Sequence, residues 1–416
     1  MENFIHKGAI VNVAEYDSFE KAISAVPRYG TLYVPPGDWH TGAFELKSDM
    51  TLYIAAGARI IAPTTLEGHK PWKKGRETIL SHYFIGMFNL NNVTIEGEGT
   101  IEGNGHCFWT NFDGSPSIFD ERESVHGAFR QRVFKAQPFR PVGIMAIECS
   151  NIRFRNFSIS NAASYTIWAL GCDQVRFDSI TLNNHRRGPN TDGFDIDCCS
   201  NVWITGCYLN AGDDCIALKS DSAMLGYEKK CEHIIISGNV LTGLCCGVRL
   251  GYEGDGIISD CLIVNNVIHD ADIGVDILSI APEGCRFGIV HGSRIERIIV
   301  DNLTMNNVRV AFKLWSGFEG EERQKDYAGY IRNVSLRNMF IEAVTPSWVG
   351  GEAVSGIQIE NIRMHLKRPY PFDPAREAVS MPNVWGYGYL KEPLTICNVD
   401  DLRLNNVQFT EEWQQG

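Results

Sequence analysis

The eight residues Ile152–Ile159, IRFRNFSI, carry a pattern that recurs through most of this 416-residue chain. Apolar and polar residues alternate, which is the period of a β-strand with one face buried. An asparagine interrupts the alternation after four residues. Similar runs begin at the following positions: LIVNNVIH at Leu262, IIVDNLTM at Ile298, VSLRNMFI at Val334, IQIENIRM at Ile357 and LRLNNVQF at Leu402, with looser copies at Val175, Val202 and Ile234.

Most of these copies are roughly 23–36 residues apart, a spacing typical of stacked coils in a solenoid rather than of hairpins. Parallel strands joined by such crossovers wind in the right-handed sense. The sequence therefore predicts an all-β fold, a single-stranded right-handed parallel β-helix that forms one domain over residues 1–416.

Two residue ladders support this register. Counting four on from each anchor gives Asn156, Asn266, Asn302, Asn338, Asn361 and Asn406, with Gly206 and Gly238 in other copies. Asparagine and glycine tolerate left-handed turns. Counting three back gives Cys149, Cys172, Cys199 and Cys231, for which stacking inside the solenoid is the favoured interpretation over metal binding.

Helical periodicity is clear near the N-terminus, in Asp17–Val26. Asp17 and Glu20 resemble a capping box, and an apolar stripe runs from Phe19 to Val26. We expect residues 1–30 to form a cap with a short helix that covers the first coil.

Two segments lack the repeat, about 105–140 and about 344–392. Both are rich in aromatic residues: Phe108, Trp109, Phe112 and Phe119 in the first, and Trp348, Tyr370, Phe372, Trp385, Tyr387 and Tyr389 in the second. They are either loops folded back on the solenoid with small cores of their own or walls of a sugar-binding groove.

Composition and charge limit the classes of binding partner and the cellular location that we expect for the protein. A net charge of −12 and a pI near 5.4 argue against nucleic acid and anionic membranes, and would repel an acidic polysaccharide unless local cations outweigh the field. No signal peptide precedes the repeats, so we expect a cytoplasmic protein with its 13 cysteines reduced, or a secreted one if this is a mature form. The oligomeric state stays open.

Acidic residues cluster on two neighbouring strands. NTDGFDID (190–197) contains Asp192, Asp195 and Asp197, and GDDCIALKS (212–220) opens on Asp213 and Asp214. Coils of a parallel solenoid are ~4.8 Å apart, so these carboxylates should meet on one flank. Crowded carboxylates raise at least one pKa, as acid–base cleavage of a glycosidic bond requires. The alternative is a turn that binds a cation such as Ca²⁺.

These motifs resemble glycoside hydrolase family 28, the polygalacturonase-like pectin hydrolases. The resemblance also rests on the opening that contains VPPG, on GTIEGNG, and on the run from Arg140 that begins RPVGIMAIECS. It covers the chain from about Val13 to the last repeat. It implies a pectin-lyase-like β-helix, hydrolysis with inversion, and no metal or organic cofactor.

The resemblance also implies roles for individual residues. Asp213 is expected to protonate the leaving oxygen, while Asp192 and Asp214 activate the attacking water. Asn190 is expected to hold the turn, and Asp195 to support Asp192.

The substrate-binding positions depart from the family. Cys246 stands where the family has a histidine that tunes the acid, and a thiol is a poor substitute. The family's arginine and lysine, which bind a galacturonate carboxylate, correspond to Asp276 and Leu278, or, displaced by a coil, to Ala311 and Lys313. Lys219 and Arg249 are nearby cations that could compensate.

The sequence therefore predicts an inverting, exo-acting glycosidase of pectin-derived oligosaccharides, with galacturonide, rhamnogalacturonan-type and neutral sugars as candidates. A polysaccharide lyase and a non-catalytic carbohydrate-binding β-helix are the alternatives.

Overall fold

The coils stack through parallel strands. The computed structural model describes residues 8–72, 80–111, 134–136, 139–281, 291–318, 328–368 and 392–413. In this part of the chain each coil contributes strands to three parallel stacks, which run side by side along the solenoid. The fold is the right-handed parallel β-helix that the repeats predict. No helix in the described ranges is long and apolar enough to cross a membrane.

Strands are numbered in chain order. The first stack contains β1 (Ile10–Asn12), β2 (Gly30–Val34), β5 (Met50–Ile54), β9 (Asn91–Gly97), β14 (Ser150–Arg155), β17 (Asp173–Asp178), β20 (Ser200–Thr205), β23 (Cys231–Ser237) and β26 (Ile257–Val264). The second stack contains β3 (Gly37–His40), β6 (Ala58–Ile61), β10 (Thr100–Glu102), β15 (Ser158–Ser160), β18 (Thr181–Asn183), β21 (Tyr208–Ala211), β24 (Val240–Gly243) and β27 (Val267–His269). The third stack contains β4 (Phe44–Glu45), β8 (His82–Phe88), β13 (Pro141–Ile147), β16 (Ile167–Leu170), β19 (Phe194–Asp197), β22 (Ile216–Ser220), β25 (Cys246–Gly254) and β28 (Ile273–Ala281).

Four long strands continue all three stacks to the C-terminus: β29 (Arg294–Phe318), β30 (Tyr330–Thr345), β31 (Ser347–Arg368) and β32 (Leu394–Trp413). Antiparallel pairing occurs between β7 (Lys70–Pro71) and β8, and between β11 (Trp109–Asn111) and β12 (Phe134–Ala136). The helices are α1 (Phe19–Ala25), α2 (Ser222–Leu225) and three 3₁₀ turns, Val13–Glu15, Leu66–Gly68 and Gly105–Phe108.

The asparagine ladder forms the turn between the first and second stacks. Asn302, Asn338 and Asn406 have φ between 51° and 56°, and Gly206 and Gly238 adopt the same left-handed conformation. Amide side chains bond from coil to coil; Asn302 Nδ2 donates to Asn265 Oδ1 at 2.8 Å.

One rung of the predicted ladder was wrong by a residue. Cys261, not Leu262, pairs with Ile234, so Asn265 (φ 60°) occupies the turn in place of Asn266. Asn266 is buried, and its Oδ1 accepts from the backbone N–H of Asn239 at 2.9 Å. Because residues 265 and 266 are both asparagine, the sequence pattern fits a turn at either position equally well.

The cysteine ladder lies inside the solenoid. Cys149, Cys172, Cys199 and Cys231 are buried, and their thiols donate to backbone carbonyl oxygens; Cys199 Sγ lies 3.3 Å from the carbonyl oxygen of Ala169. The twelve cysteines in the described ranges are free thiols. Stacking, rather than metal ligation, is the role that these contacts support.

The N-terminal helix covers the first coils. Its apolar stripe, Phe19, Ala22, Ile23 and Val26, is buried, and the ring of Phe19 stacks on Phe44 at 4.8 Å. The expected capping residue was wrong: Ser18, not Asp17, is the N-cap, and its Oγ accepts from the N–H of Lys21.

Part of the second predicted insert is regular strand. Ser347–Arg368 is β31, which pairs with β30 and β32, so these residues continue the solenoid. Trp348, Phe108 and Trp109 are buried at 1%, 3% and 7% exposure, so the interpretation as small cores holds for them and their faces are not free for a sugar. Phe112, Phe119, Tyr370, Phe372, Trp385, Tyr387 and Tyr389 lie outside the described residues.

Removing a central ring should destabilise the fold strongly. Phe177 is fully buried and stacks on Phe154 and Phe194 at 5.0 and 4.5 Å. We expect Phe177→Ala to lower the free energy of unfolding by about 3–5 kcal/mol, because it leaves a cavity. Equilibrium unfolding in urea measures the change. Phe340→Ala, at a residue that is 58% exposed, is the matched control and should cost less than about 1 kcal/mol. Equal losses would contradict the assigned core.

Candidate active site

The two acidic motifs lie on neighbouring coils of the third stack. Phe194 pairs with Ile216, so Asp192 and Asp214, each two residues earlier, lie side by side. The backbone N–H of Gly193 donates to the carbonyl oxygen of Asp214 at 2.8 Å and fixes this register. Thr166 secures Asp192 from the preceding coil, because its N–H and its hydroxyl both donate to the Asp192 carbonyl oxygen.

The chain bends before the second motif because Gly212 approaches the neighbouring coil closely. A Cβ at this position would lie 2.3 Å from Thr191 Oγ1 and 2.5 Å from the carbonyl oxygen of Gly188. Residues 212–214 lie outside the regular strand, so Asp213 and Asp214 are not forced onto opposite faces. Any larger residue at 212 would push the two acids away from Asp192.

Asp192, Asp213 and Asp214 form a carboxylate triad. One oxygen from each lies within 4.8 Å of the others. The three residues retain 4–6% exposure, and Asp192 Oδ1 has no hydrogen-bond partner among the described residues. Such an orphan oxygen is costly unless a proton, a water molecule or a ligand satisfies it. A Ca²⁺ ion takes ~6–8 oxygen ligands, so the triad alone is only part of such a shell.

Burial and mutual repulsion favour a shared proton on this triad. Burial, followed by the charges of Asp195 and Asp213, raises the pKa of Asp192 well above its usual range. Burial also raises the pKa of Asp214, but Arg249 opposes that rise. The proton therefore favours Asp192 over Asp214 in the unliganded protein, and the division of roles between Asp192 and Asp213 stays a prediction.

Arg249 takes the place beside Asp214 that the missing histidine leaves. Its Nε lies 3.0 Å from Asp214 Oδ2, while the backbone N–H of Cys246 donates to Asp214 Oδ1 at 3.1 Å. The Cys246 thiol does not reach Asp214 in this way; its sulfur accepts from Arg249 Nη2 at 3.0 Å. The main chain at Cys246 and the guanidinium favour the ionised form of Asp214, against the burial that raises its pKa.

Lys219 supports the first motif from the next coil. Its Nζ lies 2.8 Å from Asp195 Oδ1, 2.8 Å from the hydroxyl of Tyr165 and 3.5 Å from Glu253. Burial lowers the pKa of Lys219, but the carboxylates of Asp195 and Glu253 outweigh burial and raise it well above the usual value. Asp195 is thus an ion-pair partner of Lys219 that also acts on Asp192 through its charge.

The predicted substrate clamp is an internal ion-pair chain. Asp276 follows Arg249 in register on the next coil and Lys313 follows Asp276, so the coil with Asp276 is the direct successor. Asp276 Oδ2 lies 3.5 Å from Arg249 Nη2, and its Oδ1 lies 3.3 Å from Lys313 Nζ. Leu278 and Ala311 are buried and apolar.

The sequence did not single out three residues that lie at the site: Arg140, Tyr165 and Glu253. Arg140 is buried and donates to the carbonyl oxygen of Pro189 and, at 2.9 Å, to Oδ1 of Asn190, whose φ of 50° places it in a left-handed turn. Tyr165 and Glu253 surround Lys219. Arg140 and Tyr165 lie in a run that the family resemblance flagged only as a whole, and Glu253 follows a register shift after Leu218 that hides its position.

Comparisons with known proteins identify a family that matches this chain. The model of the family described as "Glycosyl hydrolases family 28" matches residues 30–313. A probable polygalacturonase of Vitis vinifera is 28% identical over 374 residues, which span 84% of this chain and 70% of the relative.

Two solved structures share the fold. The family 28 exopolygalacturonase of Yersinia enterocolitica has a TM-score of 0.68 at 17% identity and covers 95% of this chain and 78% of its own. An exopolygalacturonase of Thermotoga maritima has a TM-score of 0.68 at 19% identity, with coverages of 86% and 87%.

The raised pKa values of buried carboxyl groups in the site make the stability of the protein depend on pH. Burial raises the pKa of Asp195 to about 7, with Lys219 opposing. At pH values between the pKa of Asp195 in the unfolded chain and its pKa in the folded protein, the folded state binds more protons than the unfolded state. The free energy of unfolding therefore falls as pH rises through this range. His69, whose burial lowers its pKa to about 4, acts in the opposite sense. Comparison with a variant isolates Asp195.

As pH rises from about 5 to about 8, the unsubstituted protein should lose stability through the titration of Asp195, whereas Asp195→Asn lacks that titration. The melting temperature of Asp195→Asn should therefore rise by a few degrees relative to that of the unsubstituted protein over this range. Scanning calorimetry at a series of pH values measures the difference. Asp260→Asn is the control, because Arg297 lowers the pKa of Asp260 to about 2 and its titration falls below this window. A relative loss of stability in Asp195→Asn over the same range would contradict the raised pKa.

Proposed function

This chain belongs to glycosyl hydrolase family 28, and we propose that it is an inverting, exo-acting glycosidase of pectin-derived oligosaccharides. Family membership makes it an O-glycosyl hydrolase. The observation that carries the proposal is the buried triad of Asp192, Asp213 and Asp214 with its orphan oxygen. Glycoside hydrolysis requires a carboxylic acid and a carboxylate that flank one bond.

In the proposed reaction the proton that the triad shares lies on Asp213 once the substrate is bound, and Asp213 donates it to the glycosidic oxygen as the bond to the anomeric carbon breaks. Asp192 and Asp214 orient a water molecule on the opposite face of the sugar and accept its proton. Arg249 and the Cys246 N–H support this role, because they favour the ionised form of Asp214. The oxygen of that water becomes the hydroxyl group on the anomeric carbon of the product, whose configuration is inverted. In inverting enzymes the acid and the base are typically ~6.5–9.5 Å apart. One oxygen from each acid of this triad lies within 4.8 Å of the others, so the anomeric configuration of the product is the test of inversion.

Exo action is supported by the burial of the triad. A polymer that is cut in mid-chain needs a groove open on both sides of the acids. Here the three carboxyl groups keep only 4–6% exposure, which suits a pocket that admits a chain end. Pectin fragments are the proposed substrates because the Vitis vinifera relative is described as a probable polygalacturonase.

Replacing the acid should separate its role from that of the base. We expect Asp213→Asn to reduce kcat on an oligosaccharide by about 10²–10⁴-fold, because the leaving oxygen is no longer protonated. On an aryl glycoside, whose nitrophenolate leaves without a proton, the loss should be much smaller. Asp192→Asn should lose activity on both substrates. Initial rates on the two substrates measure the contrast.

The matched control is Asp38→Asn, at a solvent-exposed ion pair with Arg59 on an early coil. It should keep full activity on both substrates. An Asp213→Asn variant with unchanged turnover of the oligosaccharide would contradict the assigned acid.

Product analysis tests the mode of cleavage. An exo-acting enzyme releases a single short product from the first turnover and lowers the viscosity of a polymer slowly. Chromatography of early products from a defined oligosaccharide series measures the first, and proton NMR of the fresh product measures its anomeric configuration. A ladder of intermediate lengths would contradict exo action, and retained configuration would contradict inversion.

A further inference from the structure

The cations beside the triad are already neutralised by buried carboxylates of the protein. Lys219 is paired with Asp195 and Glu253, and Arg249 is paired with Asp214 and Asp276. Lys313 is paired with the same Asp276. These pairs lie at or below 7% side-chain exposure, except for Glu253 at 20%. Each of these cations thus has a carboxylate of the protein within ion-pair distance before a substrate arrives.

The remaining charge of the site is negative. Within the described residues, six carboxyl groups of the site compare with four cations: Asp192, Asp195, Asp213, Asp214, Glu253 and Asp276 against Lys219, Arg249, Lys313 and Arg140. One shared proton on the triad still leaves an excess of anions. The chain as a whole adds to this field with a net charge of −12. A sugar carboxylate that enters would be repelled, and the repulsion is strong because the site is largely dehydrated.

Recruiting a cation for the substrate would require breaking a buried pair. Asp276 is fully buried between Arg249 and Lys313, and burial lowers the pKa of Lys313 despite this partner. Asp276 lies two coils beyond Asp214, ~10 Å along the solenoid, within the length of a bound oligosaccharide. Moving it aside would leave a buried charge without its partner, which is costly.

We propose that the sugar bound beside the triad is uncharged: a neutral hexose or deoxyhexose, or a galacturonate whose carboxyl group is esterified. This inference deepens the proposed glycosidase function and rests on it. Asp276 is the specificity-determining residue, because its carboxylate already pairs with Arg249 and Lys313, the cations that a substrate carboxylate would otherwise need.

Matched substrates test the proposal directly. Trigalacturonic acid and its methyl ester differ only in the charge of the carboxyl groups, and 4-nitrophenyl α-galacturonide and α-galactoside differ only at C6. We expect the enzyme to show at least a tenfold higher kcat/KM for the uncharged member of each pair that it cleaves. Binding to Asp213→Asn by titration calorimetry should show the same order.

A charge-swap series assigns the effect to Asp276. Asp276→Asn removes the carboxylate that pairs with Lys313 and Arg249 and should shift the preference toward the charged substrate by at least tenfold. The double variant Asp276→Asn/Lys313→Met has the original net charge and should keep the original order of preference. Circular dichroism and thermal melting check that each variant is folded, and the preference of the unsubstituted enzyme decides the proposal even if Asp276→Asn does not fold.

The outcomes are distinct. A preference of the unsubstituted enzyme for the charged member overturns the inference and leaves the glycosidase function intact. A preference for the uncharged member that Asp276→Asn does not change overturns the role of Asp276. Absence of binding and turnover for all four compounds overturns the proposed function, and the inference falls with it.

Discussion

The register between successive coils is the constraint on which the site depends. Backbone hydrogen bonds of the third stack pair Phe194 with Ile216 and Ile216 with Val248, and this pairing alone brings Asp192, Asp214 and Cys246 into one row. A slip by one residue would turn every inward side chain outward and scatter the three acids. The asparagine turns, the buried cysteines and the stacked phenylalanines all oppose such a slip, so the stability of the solenoid is also what holds the acids together.

The site accumulates negative charge in a place with little water, and the protein balances it in two different ways. Arg249 and Lys219 compensate the carboxylates that support the reaction, Asp214 and Asp195. Among the described residues Asp192 has no ion-pair partner, and burial together with its acidic neighbours raises its pKa despite the charge of Lys219. The triad thereby favours one shared proton among its carboxyl groups, which is the condition for acid–base chemistry near neutral pH, and the proposed reaction requires that proton on Asp213 when the substrate is bound.

Much of the fold could be predicted from local pattern. The alternation of apolar residues specifies which face of each strand is buried, and the asparagine after four residues marks the turn. Prediction failed where two registers satisfy the same pattern, as at Asn265 and Asn266. It left two interpretations open where an aromatic residue suits both a core and a groove wall, as at Trp348. An aromatic side chain fits a buried core and a sugar-binding face equally well, and only packing distinguishes them.

The acids of the site could also be predicted, because two motifs one coil apart must meet. Their partners could not. The contact of Arg249 with Asp214 joins side chains on different coils, and its length depends on rotamers that the sequence does not encode locally. Glu253 reaches Lys219 only after a shift in strand register, and Arg140 reaches Asn190 across fifty residues of chain.

The most direct test of the account is a crystal structure of the Asp213→Asn variant with a bound oligosaccharide. The account predicts the scissile oxygen within about 3 Å of the side chain at 213, and an ordered water held by Asp192 and Asp214 on the opposite face of the sugar. An oligosaccharide bound away from these three residues, or a ring whose anomeric carbon no such water can reach, would contradict it.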